Sequence, residues 1–353
     1  MSPKHIVHII FSLQTGGAEN LMVDVANGQS KHHNVSIIII NKDYDHALLQ
    51  RIHPSIKTIL INRKKGSRGI SKILLLHKHL YFFKPNIIHC HNHNIINILL
   101  LYRKRTVYTI HDVGISMKYF KKYKQLVAIS EAVYDDVVKR SNKMLQPTII
   151  NNAIRIEAIL CRQAFQLHQP IQIIQISRLM HEKKGQDILL YAIVKLLQDN
   201  PSLSVKISFV GIGTSLSFLQ NLAQDLALNN YVDFLMQKDR KWIYANLCNY
   251  DMLVQPSRYE GFGLTIIEAM AAKLPVIATN IDGPALIIDK EQYGYLFEKE
   301  NINNLSDKII QVINDYNCNT IANKISSARQ KVELEYSMSA LLNKYEAVYN
   351  AIY

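Results

Sequence analysis

Two glutamates, Glu260 and Glu268, flank a glycine-bearing turn in the stretch 256–278, PSRYEGFGLTIIEAMAAKLPVIA. Gly261 and Gly263 let a backbone turn tightly and approach a ligand closely. A helix is expected to begin near Leu264 or Thr265. Its first N–H groups and positive dipole end would then face the turn, ready for a phosphate. Glu268 would lie about one turn in, where its carboxylate could accept hydroxyl hydrogen bonds. Glu260, just before the turn, could reach a second polyol. The plainer alternative is a glycine-bearing loop with two solvated glutamates.

A second group is Arg178, Lys183 and Lys184 in 176–187, ISRLMHEKKGQD, which follows an apolar run and precedes Gly185. Such a loop would aim two cations at one point, unless these are ordinary surface charges. Gly211 and Gly213 form VGIGT after another apolar run; alone, that spacing marks only a tight turn. Near the start, Gly16 and Gly17 sit between a run of β-branched residues and a helical pattern. His111 ends the run TVYTIH. His89, His91 and His93 alternate in HCHNH, which invites a metal reading, since alternate strand residues share a face. Asn92 and Asn94 stand where a metallohydrolase would carry a carboxylate, so no metal site is expected.

The elements that must position these residues are short, near-continuous apolar runs. In the first part they are 5–11, 35–40, 56–61, 86–90, 106–110, 126–129 and 148–151. Runs without alternation suit parallel strands buried on both faces. Intervening segments such as 18–29 repeat apolar residues at helical spacing. The rhythm loosens at 158–170 and restarts with 171–176, 205–210, 231–235, 251–254, 275–278 and 294–297. Helices are expected over 186–199, 215–228, 265–272 and 337–353. Repeated βα order predicts doubly wound sheets, here in two domains, 1–165 and 166–353, with a cleft between them. The last helix, about 337–353, is a candidate to pack back on the first domain.

The chain has 353 residues, 48% hydrophobic and 20% charged, which excludes a disordered protein. Its net charge of +13 is unevenly distributed: residues 1–165 carry 24 Lys+Arg against 9 Asp+Glu, and 166–353 carry 17 against 19. An anionic partner for the first part is therefore expected. Cys90, Cys161, Cys248 and Cys318 form no CxxC pair and read as free thiols of a reducing compartment. The opening residues read as a first strand and not as a signal peptide, and no apolar run is long enough to span a membrane. Lysines and aromatics interleave in 117–124, MKYFKKYK, with YRKR at 102–105 nearby. The segment 70–84, ISKILLLHKHLYFFK, is apolar with lysines at its margins. Such segments suit the interface of an anionic membrane, although a core-packing helix and solvated lysines explain them too.

The order of GFGL, EAMA and PVIAT around Glu260 and Glu268 resembles the retaining nucleotide-sugar glycosyltransferases of the group 1, or family 4, type. These have two Rossmann-like domains, the GT-B fold. The resemblance spans most of the chain and is most specific over 176–297. It implies that Glu268 holds the nucleotide ribose and that Glu260 lies near the donor sugar's hydroxyls. Phe262, Gly263 and Leu264 match the loop whose amides meet phosphate and sugar. Arg178 and Lys184 match the cations that stabilise the departing diphosphate, with Lys183 as the solvated neighbour of Lys184. Gly211 matches a phosphate-side turn, and Gly16–Gly17 a loop that closes on diphosphate and acceptor. His111 matches a histidine beside the donor sugar; His89 and His91 match the acceptor side. Three departures stand out: Asn152-Ala153-Ile154-Arg155 differs from the family's Asn-Gly-Ile-Asp, Lys273 replaces a common glycine, and Ala285 stands where a glutamate is usual.

The resemblance implies a metal-independent retaining hexosyltransferase without a cofactor. It would move sugar from a nucleotide diphosphate donor, UDP by family frequency, to a glycan or lipid-linked acceptor in bacterial surface polysaccharide or lipopolysaccharide synthesis. Its expected place is the cytoplasm, peripheral on the inner membrane. The alternatives are a sugar-nucleotide epimerase of the same fold and a nucleic-acid-binding protein using the basic half; no nucleic-acid motif supports the latter.

Overall fold

A computed structural model describes residues 2–14, 16–67 and 70–352. The chain forms two compact units, residues 1–153 with 338–353, and residues 154–337.

The first unit is built on a seven-stranded sheet: β1 His5–Ile10, β2 Asn34–Asn41, β3 Lys57–Arg63, β4 Ile87–Cys90, β5 Thr106–Ile110, β6 Gln125–Ala128 and β7 Thr148–Ile149. Its order is β3-β2-β1-β4-β5-β6-β7, with parallel pairings throughout. The central strands are closed to water on both faces, which is why they read as unbroken β-branched runs: Ile6, Val7, Ile9, Ile37, Ile38 and Ile39 have no exposed surface. Helices Gly17–Gln29, Ser71–Phe83 and Glu131–Arg140 supply crossovers. The final helix, Met338–Ile352, covers one face. Its Leu341, Tyr345, Val348 and Tyr349 pack with Ile6, Val25, Ile87 and Val107. Gly28 permits the approach, since a Cβ there would lie 2.5 Å from Leu342 Cδ1. Lys4 and His33 both pair with Glu346 of this helix.

The second unit has six parallel strands: β8 Ile171–Ile176, β9 Val205–Val210, β10 Val232–Phe234, β11 Met252–Gln255, β12 Val276–Thr279 and β13 Tyr295–Phe297. The order is β10-β9-β8-β11-β12-β13. Helices Ile302–Asn317 and Ile321–Glu335, absent from the sequence expectation, complete its layers.

The boundary differs from the expected one at 165/166. Ile154, Ile156 and Ile159 sit in the second unit's core, and Arg162 donates to the fully buried Asp251 at 2.7 Å, which ties 154–165 to that unit. Counted by unit, the charges are 23 Lys+Arg against 9 Asp+Glu in the first and 18 against 19 in the second. Among the described residues, no helix is long and apolar enough to cross a membrane. In each sheet the chain reverses direction of winding between its first and fourth strands. Ligands of open α/β sheets bind beyond the strand ends at that point.

Candidate functional site

In the second unit the reversal lies between β8 and β11, and Arg178, Lys183, Lys184, Glu260 and Glu268 follow these two strands, while Gly211 follows β9. After β8, Ser177–Met180 lead into a short turn of helix, His181–Lys184, and then Gly185 at φ +64°. A Cβ at Gly185 would lie 1.9 Å from the Pro256 carbonyl oxygen, so only glycine lets the two loops touch here. Arg258 locks them together. Its guanidinium donates to both Asp187 carboxylate oxygens at 2.8 Å, to the His181 carbonyl at 2.7 Å and to Glu300 at 2.8 Å. The amides of Arg258 and Tyr259 donate to the Lys183 carbonyl. Hydrogen bonds to Asp187 and Glu300 push the Arg258 pKa up.

This lock brings Lys184 Nζ to 2.7 Å from Glu260 Oε2. Both side chains are partly buried, 23% and 17% exposed, so the pair is neither a surface contact nor fully desolvated. Buried glutamines steady both partners: Gln175 Nε2 donates to the Lys184 carbonyl at 2.8 Å, and Gln255 Nε2 to Ser257 Oγ at 2.9 Å and to Glu260 Oε2 at 3.5 Å. Lys183 is exposed. Arg178 is exposed too, and its guanidinium has no hydrogen-bond or ion-pair partner among the described residues.

Gly263, at φ +105°, caps the helix Leu264–Ala271. Phe262 sets its ring edge-on to Tyr336 at 5.8 Å, and Leu264 is half-buried. Glu268 lies one turn into this helix and is buried. Desolvation lifts its pKa from 4.5 to about 7, although Arg240 at 3.6 Å and a hydrogen bond from Tyr244 pull the other way. Gly211, at φ +145°, and Gly213 are required by packing as well: a Cβ on either would lie 2.0 or 2.1 Å from the carbonyl oxygen of Ser177 or Leu179. The turn after β9 therefore backs directly onto the loop carrying Arg178.

In the first unit the reversal lies between β1 and β4. Gly16 caps the helix Gly17–Gln29, and its carbonyl accepts from Asn20 Nδ2 at 2.8 Å. Gly17 has open space where a Cβ would stand. β4 stops at Cys90, so the alternation expected to align His93 with His89 and His91 is broken. His93 instead stacks its ring near Tyr119. His8 takes its place, because β1 pairs with β4 in a register that sets His8 opposite His89. His8, His89 and His91 form a tight buried group. His89 does not line an acceptor surface: it has no exposed area, and its nitrogens meet Tyr349 OH at 2.8 Å and Thr109 Oγ1 at 2.7 Å. His91 is 7% exposed and contacts His8 and His111. Burial pushes His8 and His111 down to about 4; burial and neighbouring histidines push His89 and His91 well below 6.5. All four are neutral at pH 7.

Sequence reasoning missed Arg258, Arg240, Gln255 and His8. Arg258 and Gln255 stand inside the quoted motif or beside it. His8 was legible only once β1 and β4 were known to be neighbours.

Two family models match in tandem: Glycosyltransferase Family 4 over residues 15–158 and Glycosyl transferases group 1 over 161–331. A poly(ribitol-phosphate) alpha-N-acetylglucosaminyltransferase of Staphylococcus aureus (strain COL) is 27% identical over 270 residues, 76% of this chain and 51% of that protein. The match thus spans about half the relative's length. A solved glycosyltransferase from Rickettsia africae ESF-5 superposes with TM-score 0.82 at 21% identity, covering 100% of this chain and 99% of that one. Anabaena Alr3699/HepE, solved in complex with UDP and glucose, gives TM-score 0.76 at 18% identity over 98% and 99% of the chains. With two parallel Rossmann-like sheets and both family models matched in order, this chain belongs to the group 1, GT-B-fold glycosyltransferases.

Proposed function

We propose that the chain is a metal-independent, retaining glycosyltransferase that moves a sugar from a nucleotide diphosphate, UDP in the first instance, to a glycan or lipid-linked acceptor. The observation that carries this reading is the Lys184–Glu260 pair beside Glu268 and the Gly263-capped helix, all beyond the ends of β8 and β11. The helix N-terminus suits a phosphate, Glu268 a ribose diol, and Lys184 with Arg178 the charge that grows on a departing diphosphate. The Anabaena protein's complex with UDP and glucose supports a nucleotide-sugar donor, and the Staphylococcus protein's name supports transfer of a sugar.

Glu260 is engaged by Lys184, which makes it a poor covalent nucleophile. In the proposed reaction the bond from the anomeric carbon to the diphosphate oxygen breaks. The acceptor hydroxyl oxygen bonds that carbon from the same face, and its proton passes to a leaving phosphate oxygen. His111, neutral and half-buried, would meet a sugar hydroxyl.

The first unit would take the acceptor at an anionic membrane. On helix Ser71–Phe83, Leu74, Tyr81 and Phe82 are 65–68% exposed, and Leu100 and Leu101 are 63% and 84% exposed. The two segments adjoin, since His77 Nε2 meets the Ile98 carbonyl at 2.8 Å. Lys72, Lys78, Lys84 and Arg103–Arg105 belong to the same segments or adjoin them. Apolar side chains amid lysines suit lipid headgroup depth.

The test is nucleotide release from a panel of sugar nucleotides with a lipid-linked acceptor, with and without EDTA. Acceptor-dependent release that survives EDTA is expected. Release abolished by EDTA and restored by Mn²⁺ would sink metal independence; conversion of the sugar nucleotide without acceptor would point to epimerisation.

A further inference from the structure

The buried histidines of the first unit are joined end to end. His111 Nε2 lies 3.4 Å from His91 Nδ1, and His91 Nε2 lies 3.0 Å from His8 Nδ1. His8 Nε2 lies 2.7 Å from Gln29 Oε1, and Gln29 Nε2 donates to Tyr349 OH at 3.0 Å. Tyr349 OH lies 2.8 Å from His89 Nδ1, whose Nε2 lies 2.7 Å from Thr109 Oγ1; Thr109 meets Tyr345 OH at 2.9 Å. The residues come from β1, from β4 and β5 or the residue just past each, and from the first and last helices.

A neutral imidazole has one donor and one acceptor nitrogen, so each ring passes on the polarity it receives. The amide of Gln29 has a fixed donor end and a fixed acceptor end, and it sets the sense. Its oxygen takes the proton of His8 Nε2. His8 Nδ1 must then accept from His91 Nε2–H, and His91 Nδ1 from His111 Nε2–H. On the other side Gln29 donates to Tyr349, Tyr349 to His89 Nδ1, and His89 Nε2–H to Thr109.

We propose that His8, His91, Gln29 and Tyr349 are positioning residues that hold His111 in its Nε2–H tautomer, leaving Nδ1 as a bare acceptor for a ligand hydroxyl. A neutral acceptor takes a sugar hydroxyl and disfavours a phosphate oxyanion, so the chain would set which part of a donor His111 meets. This last consequence rests on the proposed function; the tautomer itself does not. A metal bound by His8, His89 and His91 fits less well. Both nitrogens of His89 already have hydroxyl partners, His8 and His91 face each other at hydrogen-bond distance, and no carboxylate among the described residues joins the group.

The experiment is a long-range ¹H–¹⁵N correlation spectrum of ¹⁵N-histidine-labelled protein at pH 7, for wild type, Gln29→Leu and Tyr349→Phe, with thermal melts to show that each variant is folded. His8, His89, His91 and His111 are all expected as neutral Nε2–H tautomers, unchanged by one equivalent of Zn²⁺. In the folded variants the His111 tautomer ratio should move by about fivefold, the net worth of one hydrogen bond. Mixed or Nδ1–H tautomers in wild type, zinc-dependent shifts of the three rings, or a His111 ratio that neither folded variant moves would each overturn the proposal. Because the spectra need no turnover, a protein lacking transferase activity could still show the chain, and an active one could lack it.

Discussion

Lys184 and Glu260 stand 76 residues apart in sequence, yet Lys184 Nζ lies 2.7 Å from Glu260 Oε2. Two loops from neighbouring strands meet through Gly185, and Arg258 clamps them by a two-pronged bond to Asp187. The lysine's charge is thus balanced before any diphosphate arrives. In the proposed reaction a departing diphosphate would draw Lys184 from Glu260 or share it, which would concentrate the gain where negative charge is growing.

From this pairing, Lys184→Met should lower kcat about 10²–10³-fold, the cost of losing one fixed charge aimed at a leaving group. Glu260→Gln should lower kcat as well and leave nucleotide diphosphate binding within a few fold. Steady-state nucleotide release and UDP titration check the two arms. Lys183→Met, at an exposed neighbour, should change neither by more than about twofold.

Glu268 titrates near 7 in the folded chain and near 4.5 when unfolded. The folded state therefore holds the proton more tightly, and stability should fall as pH rises from 4.5 to about 7 and level off above. The full difference is on the order of 3 kcal/mol. Glu268→Gln should flatten that slope in urea unfolding at pH 5 and pH 8. Donor affinity should run oppositely: in the proposed role the ionised carboxylate would accept from two ribose hydroxyls, so affinity should climb through pH 7. A wild-type donor affinity flat from pH 6 to 8 would contradict the ribose assignment.

Lys273 sits at φ +57° just past the helix Leu264–Ala271. The Lys273 amide donates to the Met270 carbonyl and the Leu274 amide to the Ala269 carbonyl, the paired closure that favours glycine at this place. Lys273→Gly should therefore stabilise the protein by about 1 kcal/mol. An unchanged or lowered urea midpoint would count against this account of the family's glycine.

For the membrane face, Tyr81→Ser with Phe82→Ser should weaken flotation with anionic vesicles severalfold and leave UDP binding intact. Replacing Lys118, Lys121, Lys122 and Lys124 by serine should do the same and reduce the salt dependence. Equal binding to neutral and anionic vesicles would contradict the electrostatic part.

The fold was legible because strands buried on both faces leave an unmistakable trace: HIVHII, VSIIII and IQIIQI need no partner to be read. Helices Ile302–Asn317 and Ile321–Glu335 were equally readable, the former with Leu305, Ile309, Val312, Ile313 and Tyr316 at helical spacing, but they were not expected, unlike the final helix. Glu260, Glu268 and Lys184 could be named from local spacing. Their relations could not: the lysine–glutamate contact, the Arg258 clamp and the desolvation of Glu268 depend on which loops meet. The histidines illustrate the same limit. Strand alternation suggested His89, His91 and His93, whereas β4 ends at Cys90 and the neighbouring strand supplies His8. A sequence shows what a strand carries, and only sheet order shows what lies beside it.

The most direct test of the central claim is acceptor-dependent nucleotide release from the preferred sugar nucleotide by wild type, Lys184→Met and Glu268→Ala, with the product's anomeric configuration read by NMR. The account predicts a product with the donor's configuration in wild type and at least 10²-fold slower release in both variants. Undiminished release in both variants, or an inverted product, would contradict it.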